Sequence, residues 1–425
     1  MHFDHTKMAK KRIIVVGGGP AGLMAAGQGA KAGADVLLLE KMSRPGRKLC
    51  ITGKGRCNIT NIAEMTDFIG HFGKTGPFLR QAFSLFFSDD LTALLEKEGL
   101  ELVTERGGRI FPASGKAPDV YRVLLRWVTQ RGVRIESKAA IDRLLTDDGA
   151  GAVTGVKSGG RQIEGDAVVL ATGGASYPDT GSTGDGYRLA KSVGHTIIPV
   201  RPALVPLETA GNVAERLAGL TLRNVKVRMS IDGKKAQEAF GEMGFADFGV
   251  NGPVITTLSG IAVDALRGGR RVGLSLDLKP ALDEKKLDTR LLRDLTTRGK
   301  ESLESLMRGL LPQKMVSVAL SETGLAPDRT GSTMTAKERK TLRTWLKNVP
   351  LEVTGYRPWG EAIITAGGVD TREINPRSME SRIVKGLFFA GEVIDINANT
   401  GGYNLQAAFS TGWLAGRSAA KCEGP

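Results

Sequence analysis

Arg12-Ile-Ile-Val-Val-Gly-Gly-Gly-Pro-Ala-Gly22 is the stretch that decides the fold. Its four β-branched residues, Ile13 to Val16, read as a buried parallel strand. Gly17, Gly19 and Gly22 follow at once in G-x-G-x-x-G spacing, Pro20 to Lys31 is helical in pattern, and Ala34 to Leu39 is a second strand ending in Glu40. Gly17 permits the tight turn out of the strand, Gly19 lets backbone approach a pyrophosphate, and Gly22 lets helix and sheet pack closely. Pro20 and Ala21 open the helix, whose free N–H groups and positive dipole end attract a diphosphate. Glu40 stands 18 residues after Gly22, where a carboxylate accepts ribose hydroxyls and favours a free 2′-hydroxyl. A lone G-x-G-x-x-G is weak evidence. Here strand, glycines, helix, second strand and acid all fall in register, so a bound dinucleotide is expected.

After Glu40 a simple nicotinamide dehydrogenase would continue into further short βα units. This chain instead enters a basic, glycine-rich loop, Lys41-Met-Ser-Arg-Pro-Gly-Arg-Lys-Leu-Cys-Ile-Thr-Gly-Lys-Gly-Arg-Cys-Asn-Ile-Thr-Asn61. Gly46, Gly53 and Gly55 let backbone come close to a ligand, and Arg44, Arg47, Lys48, Lys54 and Arg56 offer charge to phosphates or an electron-rich ring. Two later segments read as further walls of such a site. Asp166 to Ala171 is a strand ending in the small-residue turn Thr172-Gly173-Gly174, and Gly386 to Ala390 is a buried strand ending in Gly391-Glu392. Thr400-Gly-Gly-Tyr-Asn-Leu405 then opens an alanine-rich helix running to about Ala420. A helix N-terminus aimed at the pyrimidine end of a flavin would stabilise the negative charge of its reduced form.

Taken together, these motifs resemble the bacterial NAD(P)/FAD-dependent, aminoacetone-oxidase-like flavoproteins, distant relatives of the fumarate reductase flavoprotein superfamily. The resemblance rests on Gly17 to Gly22, Gly46 to Cys50, Thr52 to Asn58, Arg109-Ile-Phe-Pro112, Ala171 to Pro178, Thr180 to Tyr187, Phe389 to Glu392 and Thr400 to Leu405, and so spans most of the chain. It implies non-covalent FAD held along Gly17, Gly19, Pro20, Ala21, Gly22, Glu40 and Lys41, then along Arg47, Lys48, Gly53, Gly55, Arg56, Cys57 and Asn58. The same resemblance assigns Ala171, Thr172, Gly173, Gly174, Gly391, Glu392, Gly402, Tyr403, Asn404 and Leu405 to the cofactor. Many flavoproteins carry Asp at the position of Glu392, and the longer acid is expected still to reach a ribityl hydroxyl or a phosphate-bound water.

A nucleotide-binding unit formed by both ends of the chain must be discontinuous. The intervening residues, about His195 to Tyr356, read first as short strands (Ala203 to Leu207, Leu222 to Ile231, Ala236 to Phe240, Arg271 to Asp277) and then as helical from Leu282 to Leu346. Val349 to Thr354 reads as a returning strand. The expected fold class is α/β: a discontinuous Rossmann-like FAD domain (residues 1–195 and 357–425), an inserted antiparallel β-barrel (196–278 and 347–356) and a helical insert (279–346). The resemblance supplies the barrel; periodicity alone supports strands followed by helices. No second G-x-G-x-x-G follows a strand, so any NAD(P)H is expected to dock transiently as electron donor.

With 425 residues, 41% hydrophobic and 24% charged, the chain has the composition of an ordinary globular protein. No apolar run approaches the roughly 20 residues of a membrane span, and Met1 to Arg12 lacks the apolar core of a leader; a cytoplasmic protein is expected. Cys50, Cys57 and Cys422 form no disulfide framework, and His2, His5, His71 and His195 show no metal-ligand spacing, so no metal is expected. The net charge of +14 suits either an anionic cofactor or nucleic acid. Because basic residues are scattered rather than blocked, the leading expectation is an oxidoreductase acting on a small organic molecule. A flavin-containing, RNA-modifying protein is the alternative, and a flavin redox sensor without turnover is a third.

Candidates for chemistry beside the flavin are few. Tyr177 and Tyr403 could donate a proton or simply pack as aromatics. Arg357 and Glu361 could meet a charged substrate or form an ion pair with each other. His195 suits a helix-dipole partner better than a catalyst. Cys50 and Cys57, with six residues between them rather than four, read as two reduced thiols rather than an active disulfide.

Overall fold

The computed structural model describes residues 10–147, 149 and 151–421; His2, His5 and Cys422 lie outside them. The chain divides at Pro202/Ala203 and at Ala362/Ile363 into two compact units, the first built from both ends of the chain.

The first unit is organised on a parallel sheet in the order Leu387–Phe389, Ala167–Leu170, Arg12–Val16, Asp35–Glu40, Arg134–Ser137. Val15 registers with Val169 on one side and Leu38 on the other, and Val169 registers with Phe388. Ile13, Ile14, Leu38, Val168, Val169, Phe388 and Phe389 are fully buried, which is why these strands are apolar on successive residues rather than alternate ones. The helix Pro20–Lys31 crosses from the first strand to the second. Tyr403–Lys421, the closing helix, lies against it. Gly412 and Gly416 permit that approach, because a Cβ at either would be driven into the carbonyl oxygens of Ala21 and Ala25. Smaller antiparallel sheets join Thr60–Asn61, Arg109–Pro112 and Leu102–Glu105, and also Ile141–Asp147, Ala152–Ser158 and Arg161–Glu164.

The second unit is a closed barrel in the order Leu207–Thr209, Gly249–Asn251, Lys234–Ala246, Thr221–Ile231, Val272–Asp277, Val349–Tyr356. Helices Glu284–Thr297, Leu303–Arg308, Gln313–Glu322 and Ala336–Lys347 lie between its last two strands in sequence. The last is opened by a capping box in which Thr335 and Glu338 satisfy each other's backbone N–H groups. Its end is pinned by Lys347, whose Nζ meets the buried Asp277 carboxylate at 2.7 Å.

The α/β class with an inserted barrel and helices is as expected, but three local readings change. The run Ala203 to Leu207 is not a strand: one strand ends at Ala203 and the next starts at Leu207. Pro202 and Pro206 flank Leu204, whose φ of 50° is left-handed. The stretch after Lys41 is not wholly loop, since Arg47–Gly55 is helical up to a break at Thr52–Lys54. The helix Pro253–Arg267 was not anticipated; its Pro at the first position, after Gly252, is a helix-start signal.

Candidate cofactor site

The glycine turn forms as its spacing requires. Gly17 has φ of 102°, and a Cβ there would stand 2.5 Å from the Ala171 oxygen. A Cβ at Gly22 would be driven into the Gly17 carbonyl, whereas one at Gly19 would meet nothing within 4 Å. Backbone is therefore packed tightly beneath the turn and open above it. Gly19 caps the opening helix with no side-chain hydrogen bond, and the first turn carries no acid to offset its dipole. Its N–H groups and positive end are thus left to an anion. On the adjacent turn, Ala171 N donates to Val16 O (2.9 Å), and Thr172 Oγ1 is buried without a partner. An uncapped helix start and an open Gly19 fit the diphosphate end of a dinucleotide, whereas the Thr172 hydroxyl is turned away against Gly186.

Glu40, buried at the end of its strand, accepts the Gly18 and Met42 N–H groups, each at 2.8 Å. This carboxylate shapes the turn, a role that spacing alone did not indicate. Gly46 N donates to Gly18 O (2.9 Å), bringing the basic segment alongside the turn. Gly53, Lys54, Gly55 and Cys57 all have positive φ, so the chain coils left-handedly there even at two residues with a Cβ.

Most of the cations in this segment are engaged. Lys41 pairs with Asp185 (2.6 Å) and also reaches Thr183. Lys48 pairs with Glu392 (2.6 Å) and donates to Ser176 Oγ (2.7 Å), while Glu392 also accepts the Thr365 N–H at 2.8 Å. Glu392 is therefore turned toward protein partners at both oxygens. Arg56 pairs with Glu105 and lies over the Phe111 ring at 4.4 Å. Arg44 lies 5.3 Å from the Tyr121 ring centre and 3.8 Å from Cys50 Sγ. Arg47, half-buried, has no carboxylate partner among the described residues.

The C-terminal segment closes onto these residues. With its amide oriented to satisfy both neighbours, Asn58 donates to Thr60 O (3.1 Å) and accepts from Gly402 N (3.0 Å). Asn61 Nδ2 donates to Gly107 O (3.0 Å) and Gly401 O (3.1 Å). Asn404 ties the helix start to Ala398 through both its backbone groups, and Leu405 packs against the core. Gly391, at φ 74°, sits where a Cβ would come within 2.8 Å of Ala21 Cβ. Gly173 is left-handed, and Gly174 leaves room for the Thr365 hydroxyl, which accepts the Ala175 N–H at 2.8 Å.

Tyr403 is buried, stacked on His71 at 3.8 Å and edge-on to Phe68 at 4.7 Å. Burial pushes its phenol above the ordinary value. Tyr177 is half-buried with left-handed backbone at φ 53°. Arg357 belongs to the second unit, where it meets Glu361 (2.7 Å), Glu208 (3.1 Å) and the face of Phe248 at 4.4 Å. Its guanidinium is committed to a structural network. His195 bridges Ser381 (2.8 Å) and Glu373 (3.2 Å), with burial lowering its pKa. Cys50 and Cys57 are free thiols; burial pushes Cys57 up to about 12, so it is no ready nucleophile. Thr365, Ser176, Asp185 and His71 were missed as site residues. Ser176 and Asp185 lie inside the motif segments Ala171 to Pro178 and Thr180 to Tyr187, and Thr365 is a polar residue inside the apolar run Ile363 to Val369.

Residues 11–418 match the family described as the HI0933-like protein Rossmann domain. A 3-dehydro-bile acid delta(4,6)-reductase of Clostridium scindens is 30% identical over 96% of this chain and 99% of its own length. A ribosomal RNA dihydrouridine synthase of Escherichia coli is 28% identical over 96% of this chain and 97% of its own. Among solved structures, a 3-ketosteroid delta1-dehydrogenase from Sterolibacterium denitrificans aligns with TM-score 0.54 at 14% identity, over 97% of this chain and 100% of that one. A flavocytochrome c3 fumarate reductase aligns with TM-score 0.50 at 18% identity, over 97% and 78%; both share the fold. The matched span and the glycine turn closed by the C-terminal helix place this chain in the HI0933-like family of FAD-binding oxidoreductases.

Proposed function

We propose that the chain is an FAD-dependent reductase whose acceptor is a carbon–carbon double bond conjugated to a carbonyl. The observation that carries the cofactor assignment is the open, uncapped turn at Gly19, closed from the far end of the chain by Gly391 and the helix from Tyr403. When bound, FAD supplies reversible two-electron chemistry. The chain's own residues hold it: Gly17 to Gly22 at the diphosphate, Glu40 at the ribose, and the left-handed segment Gly53 to Asn58 with Gly402 to Leu405 at the ring end. Glu392 acts by fixing Lys48 rather than by offering a free carboxylate. Arg47 and the exposed Lys54 carry charge with no carboxylate partner among the described residues. Tyr403, kept neutral by burial, holds a transferable proton at Oη. NADH or NADPH docks transiently as reductant.

The acceptor class comes from what the two curated relatives share by name. A bile acid delta(4,6)-reductase and a dihydrouridine synthase each saturate a ring double bond, and in 3-oxo steroids and uracil that bond is conjugated to a carbonyl. Between these substrates, RNA is favoured because basic residues scattered in the sequence come together in the second unit, where Arg223 and Lys279 have no carboxylate partner among the described residues. We therefore place a uridine of structured RNA first. A small organic enone, in keeping with the resemblance to aminoacetone-oxidase-like flavoproteins, is the second reading, favoured by the 30% identity to the bile acid enzyme.

The test is anaerobic. Protein reduced with NADPH or NADH is mixed with deproteinised ribosomal RNA or with a 3-oxo-4,6-diene steroid acid. Return of the oxidised flavin spectrum, with dihydrouridine in the RNA digest, supports the first reading. Reoxidation by the steroid alone supports the second, and reoxidation by neither contradicts the acceptor class.

A further inference from the structure

The second unit contains a groove of about 760 Å³ that the cofactor site does not use. It runs along the start of the barrel strand Thr221–Ile231, past Phe240 on the paired strand, and against Leu278 to Leu282 and Leu311 to Met315. Its floor is apolar, from Leu222, Leu278, Leu311 and Met315, while Arg223, Lys226 and Lys279 contribute charge and no Asp or Glu lines it. Arg223 and Lys279 have no carboxylate partner among the described residues, and Lys226 forms a long ion pair with Glu238 at 3.9 Å. Phe240 is 61% exposed, the only exposed aromatic ring among the described residues.

Three cations in a lining without acids, two of them unpaired, set beside an exposed ring, form an arrangement that suits an unpaired nucleic acid strand. Phosphates meet the cations, and a splayed base, whose faces are apolar, stacks on the aromatic and the floor. We propose that this groove docks a single-stranded segment of the RNA substrate, with Phe240 as the stacking platform and Arg223, Lys226 and Lys279 as phosphate contacts. The inference rests on the RNA reading of function above. It is independent of the cofactor cradle, which the first unit supplies by itself.

The probe is a fluorescent oligouridylate, titrated against the FAD-loaded protein across a range of salt, with dihydrouridine formation in ribosomal RNA measured in parallel. Three proteins are compared with wild type: R223A/K226A/K279A, F240A, and a charge-matched control, K300A/K337A/K340A, at exposed positions outside the groove. All three should retain FAD and wild-type circular dichroism. The groove triple variant should lose at least about tenfold in affinity and lower the salt slope by about 2, at about 0.7 per phosphate contact. F240A should weaken binding by about fivefold or more while leaving the salt slope unchanged. The control should fall well short of the triple variant. If wild type modifies ribosomal RNA and the groove variants behave like the control, the docking site is wrong and the functional reading stands. If wild type neither binds nor modifies RNA, both fall. If cholate binds with a dependence on Arg223 while oligouridylate binding ignores it, the groove belongs to an apolar acid and the proposal is overturned.

Discussion

Glu40 shows how one side chain serves two levels of structure. Its carboxylate holds the Gly18 and Met42 N–H groups at 2.8 Å, so removing it leaves two donors without their acceptor at the glycine turn. Glu40→Ala should weaken FAD binding at least about tenfold, more than the loss of a ribose contact alone; fluorescence titration checks this. Cys57 makes the opposite case. Its thiol, pushed up to about 12 by burial, stays protonated at ordinary pH. In a Cys422→Ser background, iodoacetamide at about pH 8 should modify half-buried Cys50 and spare Cys57 in the native protein. Mass spectrometry of tryptic peptides reads the outcome. His195 sets a pH dependence: burial lowers its folded pKa, so the unfolded chain binds the proton more readily. Its contribution is complete above about pH 6.5 and fades as pH falls from there toward the lowered folded value. Urea midpoints should therefore drop on acidification, and less steeply in His195→Gln. The glycine spacing and Glu40 were legible because they are local. Lys48–Glu392 was not, since each residue reads alone as a ligand for the cofactor, and only the fold brings together partners more than three hundred positions apart.

Among elements, the crossing of the first and last helices joins the two ends of the chain. Gly412 and Gly416 are in van der Waals contact with the backbone of the opening helix, where a larger residue has no flexible neighbour to displace. Gly416→Leu should destabilise the first unit by about 3 kcal/mol or more and release FAD, read by thermal unfolding and by flavin in the filtrate. The Asn61 amide bridges the turn at Gly107 to Gly401 at the closing helix start. Asn61→Ala should cost about 1–2 kcal/mol and speed FAD dissociation without changing the barrel. The strand–glycine–helix–strand opening was legible residue by residue, because one apolar period and one spacing describe it. The turn of helix at Arg47–Gly55 was hidden by its glycines, which here mark the helix break at Thr52–Lys54 rather than an irregular loop. The absent strand at Ala203 to Leu207 was misread because an apolar run flanked by two prolines also suits an extended linker.

At the scale of the whole molecule, the two units have different tasks. The first unit carries the glycine turn proposed to hold the dinucleotide; the second, a barrel with helices inserted between its last two strands, carries a basic groove. The net charge of +14 could be read from composition, but not where that charge goes unpaired, because pairing is decided by the fold. One cradle, made from the two ends of the chain, is proposed to bind FAD. Titration of flavin-free protein with FAD, followed by quenching of flavin fluorescence, tests it most directly. Saturation is expected at one FAD per chain, with that binding lost and circular dichroism preserved in Gly19→Val, where a Cβ meets nothing within 4 Å in the protein. A folded wild-type protein that leaves FAD fluorescence unchanged would contradict it.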